Sequence, residues 1–493
     1  MPEKISERSD RIKKLEELRK IGVNPYPSRV KRTHAVKEVF DGFKELAKNE
    51  TEIALTGRLR AIRSHGNLTF AHLEDGSGKI QIALSKKDTG PESYKNFIKL
   101  IDIGDFISVV GTAFVTHKGE KSLMAAEWNI ISKALRPLPD KYAGFKDEEE
   151  RFRKRYMDIL FNPETRDMVE KRARFWQAVR AFFIERGFLE VETPVLETTT
   201  GGADARPFIT HHNALDMDVY LRISMGELWQ KRLLVAGFEK TFEIGRQFRN
   251  EGMDAEHLQD YTQMEFYQAY ADYEAGMETV EELIKFTADK TFGALKFKIN
   301  GFEIDLGKKW ERYDYRETIL KFTGVDVLSA DMETIEKKLK ELKVKYDKKG
   351  FNITRAIDNL WKYCRKKIAG PGFLINLPIT VSPLAKKSEN DSRTVERFQV
   401  LIAGSELGNG YSELNDPLDQ SQRFCEQAKL RAAGDEEAQM YDEDFVEALE
   451  YGMPPACGFG MSERVFAFLM DKSMRETQIF PLMKPKIIPT AEK

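Results

Sequence analysis

The sequence predicts an α+β protein in two parts: a small β-barrel, then a larger domain built on an antiparallel sheet flanked by helices. Two observations predict it. Between Glu52 and Ile131, five strand-like segments are interrupted by one helical segment. From about residue 161 to the C-terminus, amphipathic helices alternate with strands whose apolar face is backed by Arg, Glu and Tyr. The 493 residues suffice for two or three domains with a sizeable core. A composition of 41% hydrophobic and 32% charged residues is that of a soluble globular protein. There is no apolar run approaching a membrane span, and the opening MPEKISERSDRIKK lacks the apolar centre of a signal peptide. Cys364, Cys425 and Cys457 are odd in number and in no metal-ligand spacing. They predict a reducing cytoplasm and argue against a zinc site. A formal net charge of -2 means that any nucleic-acid contact must come from local basic patches.

Residues 1–48 read as a charged helical extension in which Ile12, Leu15 and Leu18 form a thin apolar stripe. Docking on its own protein and facing RNA explain that stripe about equally well. Residues 49–132 carry the strands EIALTGRL, NLTFAHLE, KIQIAL, DFISVVGTAFVT and LMAAEWNII, with DGSG at 75–78 as a turn. YKNFIKLI is the helix between the third and fourth strands, the order expected of an OB-fold. Such barrels stack bases of single-stranded nucleic acid on aromatic side chains beside basic groups. Phe70 and Gln81 are expected on the exposed sheet, with Arg63 nearby and Glu127 on the last strand. Periodicity alone leaves open whether Phe70 is a reader or a core residue. Residues 133–160 have the prolines and dense charge of a linker.

Residues 161–493 form the second domain. A helix over about 165–186 carries Phe175, Val179, Phe182 and Phe183 on one face and runs into FLEVET. The lysine-rich stretch at about 295–370 reads as a helical insertion. The stretch Thr241 to Ala271 reads as two strands joined by a charged loop. In the first, Phe242, Ile244 and Phe248 oppose Gly245, Gln247, Arg249 and Glu251; in the second, Met264 and Phe266 oppose Gln263, Glu265 and Tyr267. Asn409, Tyr411 and Glu413 likewise share one face of a later strand. His211 and His212 are adjacent, so on a strand they face opposite ways and are expected to be structural.

FRNE, followed by a loop with His257 and then DYTQMEFY, resembles the second signature motif of class II aminoacyl-tRNA synthetases. GFLEVETP at 187–194 resembles the first, and GFGMSER at 458–464 the third. GGADARPFITHHNALDMDVYLRIS, VSPLAKK and ELGNGYSELND are similar to segments of the class II lysyl-tRNA synthetases. The resemblance runs in order from about residue 50 to the C-terminus. It implies an N-terminal OB-fold barrel plus a class II synthetase catalytic domain, ATP-dependent activation of L-lysine, and transfer to the 3′ end of tRNA(Lys). It also implies Mg²⁺ as cofactor and a homodimer through residues about 165–194.

By that resemblance Arg249 bridges the substrate carboxylate and a phosphate, and Arg464 covers the adenine. Glu251, His257, Tyr261 and Glu406 complete the ATP site. Gly202, Glu227, Arg249, Glu265, Tyr267, Asn409, Tyr411 and Glu413 hold lysine: Glu227 and Glu265 take the α-amino group, Tyr267 and Glu413 the ε-ammonium. Arg63, Phe70, Gln81 and Glu127 read the anticodon. Arg464 has a plainer alternative, a salt bridge to neighbouring Glu463. The chain departs from the family in three places. Glu256 stands where an arginine usually grips the terminal phosphate. The usual metal-binding carboxylate pair appears as Gln399 and Glu406, of which Glu406 is the better Mg²⁺ ligand. LRISMGELW has one extra residue before its glutamate, and GFGMSER is spaced unusually. Glu256 and Gln399 keep open a non-catalytic RNA-binding or regulatory paralogue; the intact OB-like domain argues against a third reading, a ligase that places lysine on a protein.

Overall fold

The computed structural model describes residues 2–139, 147–252, 254–346, 351–434 and 438–486. The chain divides into two compact units, residues 1–146 and 147–493. Residues 140–146 of the expected linker lie outside the described residues.

In the first unit, α1 (Pro2–Lys20) is followed by the short helices α2 (Val36–Asp41) and α3 (Phe43–Lys48). Leu15 and Leu18 are buried, Arg11 donates to the carbonyls of Ile103 and Ala134 (both 3.2 Å), and Lys14 pairs with Asp102 at 2.6 Å. The apolar stripe of α1 is therefore a docking face on its own unit. Strands β1 (Ile53–His65), β2 (Leu68–Glu74), β3 (Lys79–Ser85), β4 (Phe106–Val115) and β5 (Lys121–Ser132) close into a barrel in the order β1-β2-β3-β5-β4. Helix α4 (Pro91–Leu100) lies between β3 and β4 in the chain and buries Tyr94, Phe97 and Leu100. Inward residues such as Leu55, Leu73, Ile82 and Val109 fill the interior. The stretch expected as linker starts inside this unit: the Lys133 ammonium is buried between Asp102 (2.6 Å) and Asp105 (2.8 Å).

In the second unit, α5 (Glu148–Arg153) and α6 (Arg155–Phe161) give the rest of the expected linker a helical structure of its own. Helix α7 (Pro163–Glu185) leads to β6 (Leu189–Glu190), then a small sheet of β7 (Leu196–Glu197), β8 (Ile209–His212) and β9 (Met217–Leu221). Next come α8 (Glu227–Val235), β10 (Lys240–Phe248), β11 (Asp260–Ala269) and α9 (Tyr273–Phe292). The insertion expected to be helical opens instead with strands, the hairpin β12 (Lys296–Ile299) and β13 (Phe302–Asp305) and then β14 (Glu311–Asp314). Turn-forming Asn300-Gly301, both at positive φ, explains the hairpin. Helices α10 (Tyr315–Thr323), α11 (Met332–Glu341) and α12 (Ile353–Arg365) follow, then β15 (Gly372–Ile375), β16 (Arg397–Ile402) and β17 (Ser405–Ser412). The chain finishes with α13 (Pro417–Ala432), α14 (Glu443–Glu450), β18 (Ala456–Ser462), α15 (Arg464–Leu469) and α16 (Met474–Thr477).

Eight strands form the main sheet, in the order β14-β15-β16-β17-β18-β11-β10-β6, antiparallel except at the β14–β15 and β10–β6 pairs. Cross-strand register sorts its two faces into rows. Phe242, Phe266, Phe459, Gly410 and Phe398 form one row, which packs on Phe175, Phe182, Phe183 and the apolar face of α9. The stripe of α7 is thus spent on its own core. The adjacent rows, Tyr267-Gly458-Tyr411-Arg397 and Glu265-Gly460-Asn409-Gln399, face the other way. Among the described residues no helix is long and apolar enough to cross a membrane.

Candidate functional site

Those two outward rows are the floor of a cavity of about 360 Å³. Its lining includes Gly202, Glu227, Arg249, Glu251, His257, Tyr261, Glu265, Tyr267, Asn409, Tyr411, Glu413 and Arg464. The structure therefore brings together every expected lysine-binding residue and all the expected nucleotide-binding residues except Glu406.

The floor is polar because alternation places each large apolar neighbour on the core side. Gly458 and Gly460 keep it open. A Cβ on Gly458 would collide with Glu413 and the Tyr267 ring, and one on Gly460 would lie 3.0 Å from Glu265 Cγ. These glycines thus make room for side chains of neighbouring strands, which is a reason for the GFG run. Gly226, at φ +66°, turns the chain so that Glu227 opens α8 facing the cavity. Thr193 of the first motif packs on Gly226 and donates to Glu243 (2.6 Å), which also takes Arg222 at 2.5 Å. The first motif therefore props the entry to α8.

At the closed end three carboxylates lie buried. Glu265 accepts from the Met225 N–H (2.9 Å), Gln263 Nε2 (2.6 Å) and the Tyr267 hydroxyl (3.0 Å). Burial outweighs those bonds and, with the Glu227 charge adding, pushes Glu265 up to about 7. Glu413 has an oxygen, Oε1, without a hydrogen-bond partner. Burial pushes it up to about 8 against the opposing pull of Lys231. Glu227 accepts from the Tyr411 hydroxyl and from Lys231 Nζ at 2.7 Å. Both tyrosine hydroxyls are held well above their ordinary range, first by burial and then by the Glu227 charge. These pairings differ from the grouping expected of the family. Tyr267 serves Glu265 here, Tyr411 is tied to Glu227, and Glu227 and Glu413 share one ammonium.

Toward the mouth, Arg249 Nε donates to the Ile223 carbonyl at 3.2 Å, which orients the guanidinium. Among the described residues no carboxylate pairs with it. Asp254 organises the following loop, accepting from the N–H groups of Glu256 (2.7 Å) and His257 (2.8 Å) and meeting His257 Nδ1 at 2.9 Å. Tyr261 packs beside Ala467 and Met474 and accepts from Gln247. Glu463 is taken by Arg172 and Gln478, so it is not the partner of Arg464. Arg464 instead lies 3.5 Å from Glu256, which also accepts from Ser405 at 2.7 Å. Burial lowers the Arg464 guanidinium below its ordinary value.

Glu406, expected to bind ATP and metal, does not line the cavity. A bulge between Val400 and Leu401 interrupts the β16–β17 register, and Glu406 accepts from the Trp361 indole on α12. Gln399 occupies the outward row without lining the cavity. Among the described residues no group of three His, Cys, Asp or Glu could hold a metal ion. One wall residue, Arg397, and one buried behind the wall, Lys231, escaped the sequence reading. Arg397 is bonded to Asn409 Oδ1 (2.7 Å), the Val381 carbonyl (2.6 Å) and Ser382 Oγ (2.9 Å). Lys231 lies four residues after Glu227, a helical spacing that was legible but unremarkable. His211 pairs with Asp218 at 3.0 Å on an exposed strand, outside the cavity.

On the barrel, Phe70 is half-buried between buried Thr69 and Ala71, and so stands on the outer face. Arg63 is its direct cross-strand neighbour and is exposed. Gln81 opposes His72 and donates to Ser122 at 2.9 Å, and Glu127 is exposed on β5.

Residues 147–484 match the family described as tRNA synthetases class II (D, K and N), and residues 53–131 match the OB-fold nucleic acid binding domain. The chain is 46% identical over 480 residues to the lysine–tRNA ligase of Carboxydothermus hydrogenoformans, covering 97% of each chain. It is 45% identical over 487 residues to that of Pelotomaculum thermopropionicum (97% of this chain, 94% of the relative). It is 43% identical over 485 residues to that of Thermotoga maritima (97% and 96%).

Proposed function

Because the chain belongs to the class II tRNA synthetases of the D, K and N group, we infer that it activates L-lysine with ATP and transfers it to tRNA. The observation that carries this reading is one cavity combining Arg249 and Arg464 with Glu227, Glu265 and Glu413. A zwitterion with a second ammonium and a polyphosphate need that combination.

In the first half-reaction the lysine carboxylate oxygen attacks the α-phosphorus of ATP. The bond to the bridging oxygen breaks, and pyrophosphate leaves with its electron pair. Arg249 is assigned to hold carboxylate and α-phosphate together and to neutralise the charge that grows on the phosphate. Glu251 accepts from the adenine amino group, with Tyr261 and Arg464 on the two ring faces and His257 toward the phosphates. Glu227 and Glu265 receive the α-ammonium and Glu413 with Tyr267 the ε-ammonium. Asn409, held by Arg397, orients the carboxylate, Tyr411 borders the stem, and Gly202 leaves room for the α-amino end. In the second half-reaction the 3′-hydroxyl of the terminal adenosine attacks the carbonyl carbon and AMP leaves.

Magnesium, when bound, supplies charge neutralisation on the phosphates. Glu406, bonded to the Trp361 indole and outside the cavity lining, does not fit a Mg²⁺ site on those phosphates in this arrangement, so no step is assigned to the ion. We assign Arg63, Phe70, Gln81 and Glu127 to the anticodon, Phe70 by stacking, because they stand on the barrel's outer face. Exposed Ile184 on α7 and Leu189 on β6, with Val195 and Leu196 just beyond, support a homodimer through residues about 165–194. Three free thiols suit a cytoplasmic protein. Lysine-dependent ATP–pyrophosphate exchange, run against each of the twenty amino acids, tests the first half-reaction. Charging of a tRNA with a UUU anticodon tests the second. Exchange with another amino acid in place of lysine would overturn the reading.

A further inference from the structure

Directly behind the carboxylates that line the closed end of the cavity lies an ammonium group. Lys231, on the second turn of α8, is wholly buried, with Nζ 2.7 Å from Glu227 and 2.5 Å from Glu413. The rings of Tyr411, Tyr267 and Phe445 surround it, their centroids 5.4, 6.0 and 5.9 Å from Nζ. Buried carboxylates that lack a counter-charge are costly, so the charges here can be counted. Glu227 from α8, Glu265 from β11 and Glu413 beyond β17 contribute three negative charges. Lys231 contributes one positive charge. Arg397 from β16 lies within the field of Asp204 and Glu406 as well as Glu227, and its own bonds go to Asn409, Val381 and Ser382. The tyrosines stay neutral, and from β18 the buried Cys457 thiol faces Glu413 and is held well above its ordinary value.

We propose that Lys231 is a specificity-setting and positioning residue: a permanent ammonium that clamps Glu227 to Glu413 and cancels one of three negative charges, leaving a deficit of two that a diamino acid fills. This rests on the assignment of lysine to this cavity. A monoamine of the same length supplies one ammonium and leaves a buried carboxylate that must keep a proton. Lysine supplies two and displaces the protons that stand in for it. Glu413 is the member poised to respond, because its oxygen Oε1 lacks a hydrogen-bond partner and occupies the space that a side chain at 458 would take.

The sign of the pH effect follows. Glu265 and Glu413 are both raised above the ordinary carboxyl value. Lysine requires them ionised, so kcat/KM for lysine rises as pH increases through their titration. Removing the Lys231 charge takes away the one group that pulls Glu413 down, and the rising limb moves to higher pH.

Pyrophosphate exchange with lysine is measured from pH 6 to 9 in wild type, K231M and K231R. In K231M the midpoint of the rising limb is expected to move up by about one unit, the usual effect of losing an opposite charge at this distance. At pH 7, kcat/KM for lysine falls about tenfold while KM for ATP is unchanged. K231R, which keeps the cation, returns the midpoint toward wild type. A K231M profile superimposed on wild type overturns the proposal, as does a K231R shift as large as that of K231M. A K231M chain that does not fold leaves calorimetry on the wild type to decide. Lysine binding at pH 7, in two buffers of different ionisation enthalpy, should release about one proton. Zero release overturns the charge count and with it the role of Lys231. Absence of lysine-dependent exchange in the wild type itself strikes the underlying assignment instead.

Discussion

The barrel and the main sheet of the second unit use the same strand alternation to present similar residue types, yet with opposite electrostatic consequences. On the barrel, Phe70, Arg63 and Glu127 stand half-buried or exposed on an outer face, where water screens every charge. On the large sheet, Glu265, Tyr267, Tyr411 and Glu413 sit at the closed end of a cavity, and burial, with the Glu227 charge adding, drags two carboxyls up to about 7 and 8. The difference teaches that burial, more than residue type, decides how strongly a side chain commits to one ligand. An exposed reader can be adjusted at small cost. A buried carboxylate without its ammonium carries a penalty that enforces the choice of substrate.

Four substitutions sharpen or break that contrast. Arg249→Ala should lower kcat for pyrophosphate exchange by roughly 10²–10³-fold, the usual loss when one group stabilising a developing charge is removed. A rise in KM with kcat unchanged would reassign Arg249 to ground-state binding. Glu413→Gln should lower kcat/KM for lysine by roughly 10²-fold with KM for ATP nearly constant, because the amide cannot supply the buried negative charge. Steady-state exchange kinetics in each substrate separate the two parameters, and intact lysine use would remove Glu413 from the ammonium site. Phe70→Ala should raise KM for tRNA by roughly tenfold in aminoacylation, within the range for one lost base stack, while exchange continues. Slowed exchange would mean that the two regions are not separable. Arg63→Ala should raise KM for tRNA by about two- to threefold at low salt, and by less as salt screens the lost charge. A salt-independent loss would argue for a direct base contact.

How much of the site was legible depended on how local its causes were. Glu265 with Tyr267, and Asn409 with Tyr411 and Glu413, could be paired by counting along single strands. Register then brings them to one cavity, with pairings other than those the motifs implied. The position of Glu406 was not legible, because the bulge at Val400/Leu401 belongs to strand pairing and its indole partner, Trp361, lies 45 residues away. Nor was the partner of Arg464, which turns to Glu256 because Arg172 captures Glu463 across 291 residues. The insertion reads as mostly helical because its lysine-rich helices dominate the composition, and the hairpin at 296–305 was not legible because it rests on a two-residue turn.

By itself the sequence determined the order of the elements, the two faces of each strand and the acids and guanidinium available for chemistry, since these depend on side-chain period and residue type along a few neighbouring positions. Only the tertiary structure decided which carboxylates share a partner, which arginine is left for a ligand and that Lys231 reaches Glu413 as well as Glu227. Those outcomes depend on counter-charges brought from distant segments into a space where water no longer mediates between them.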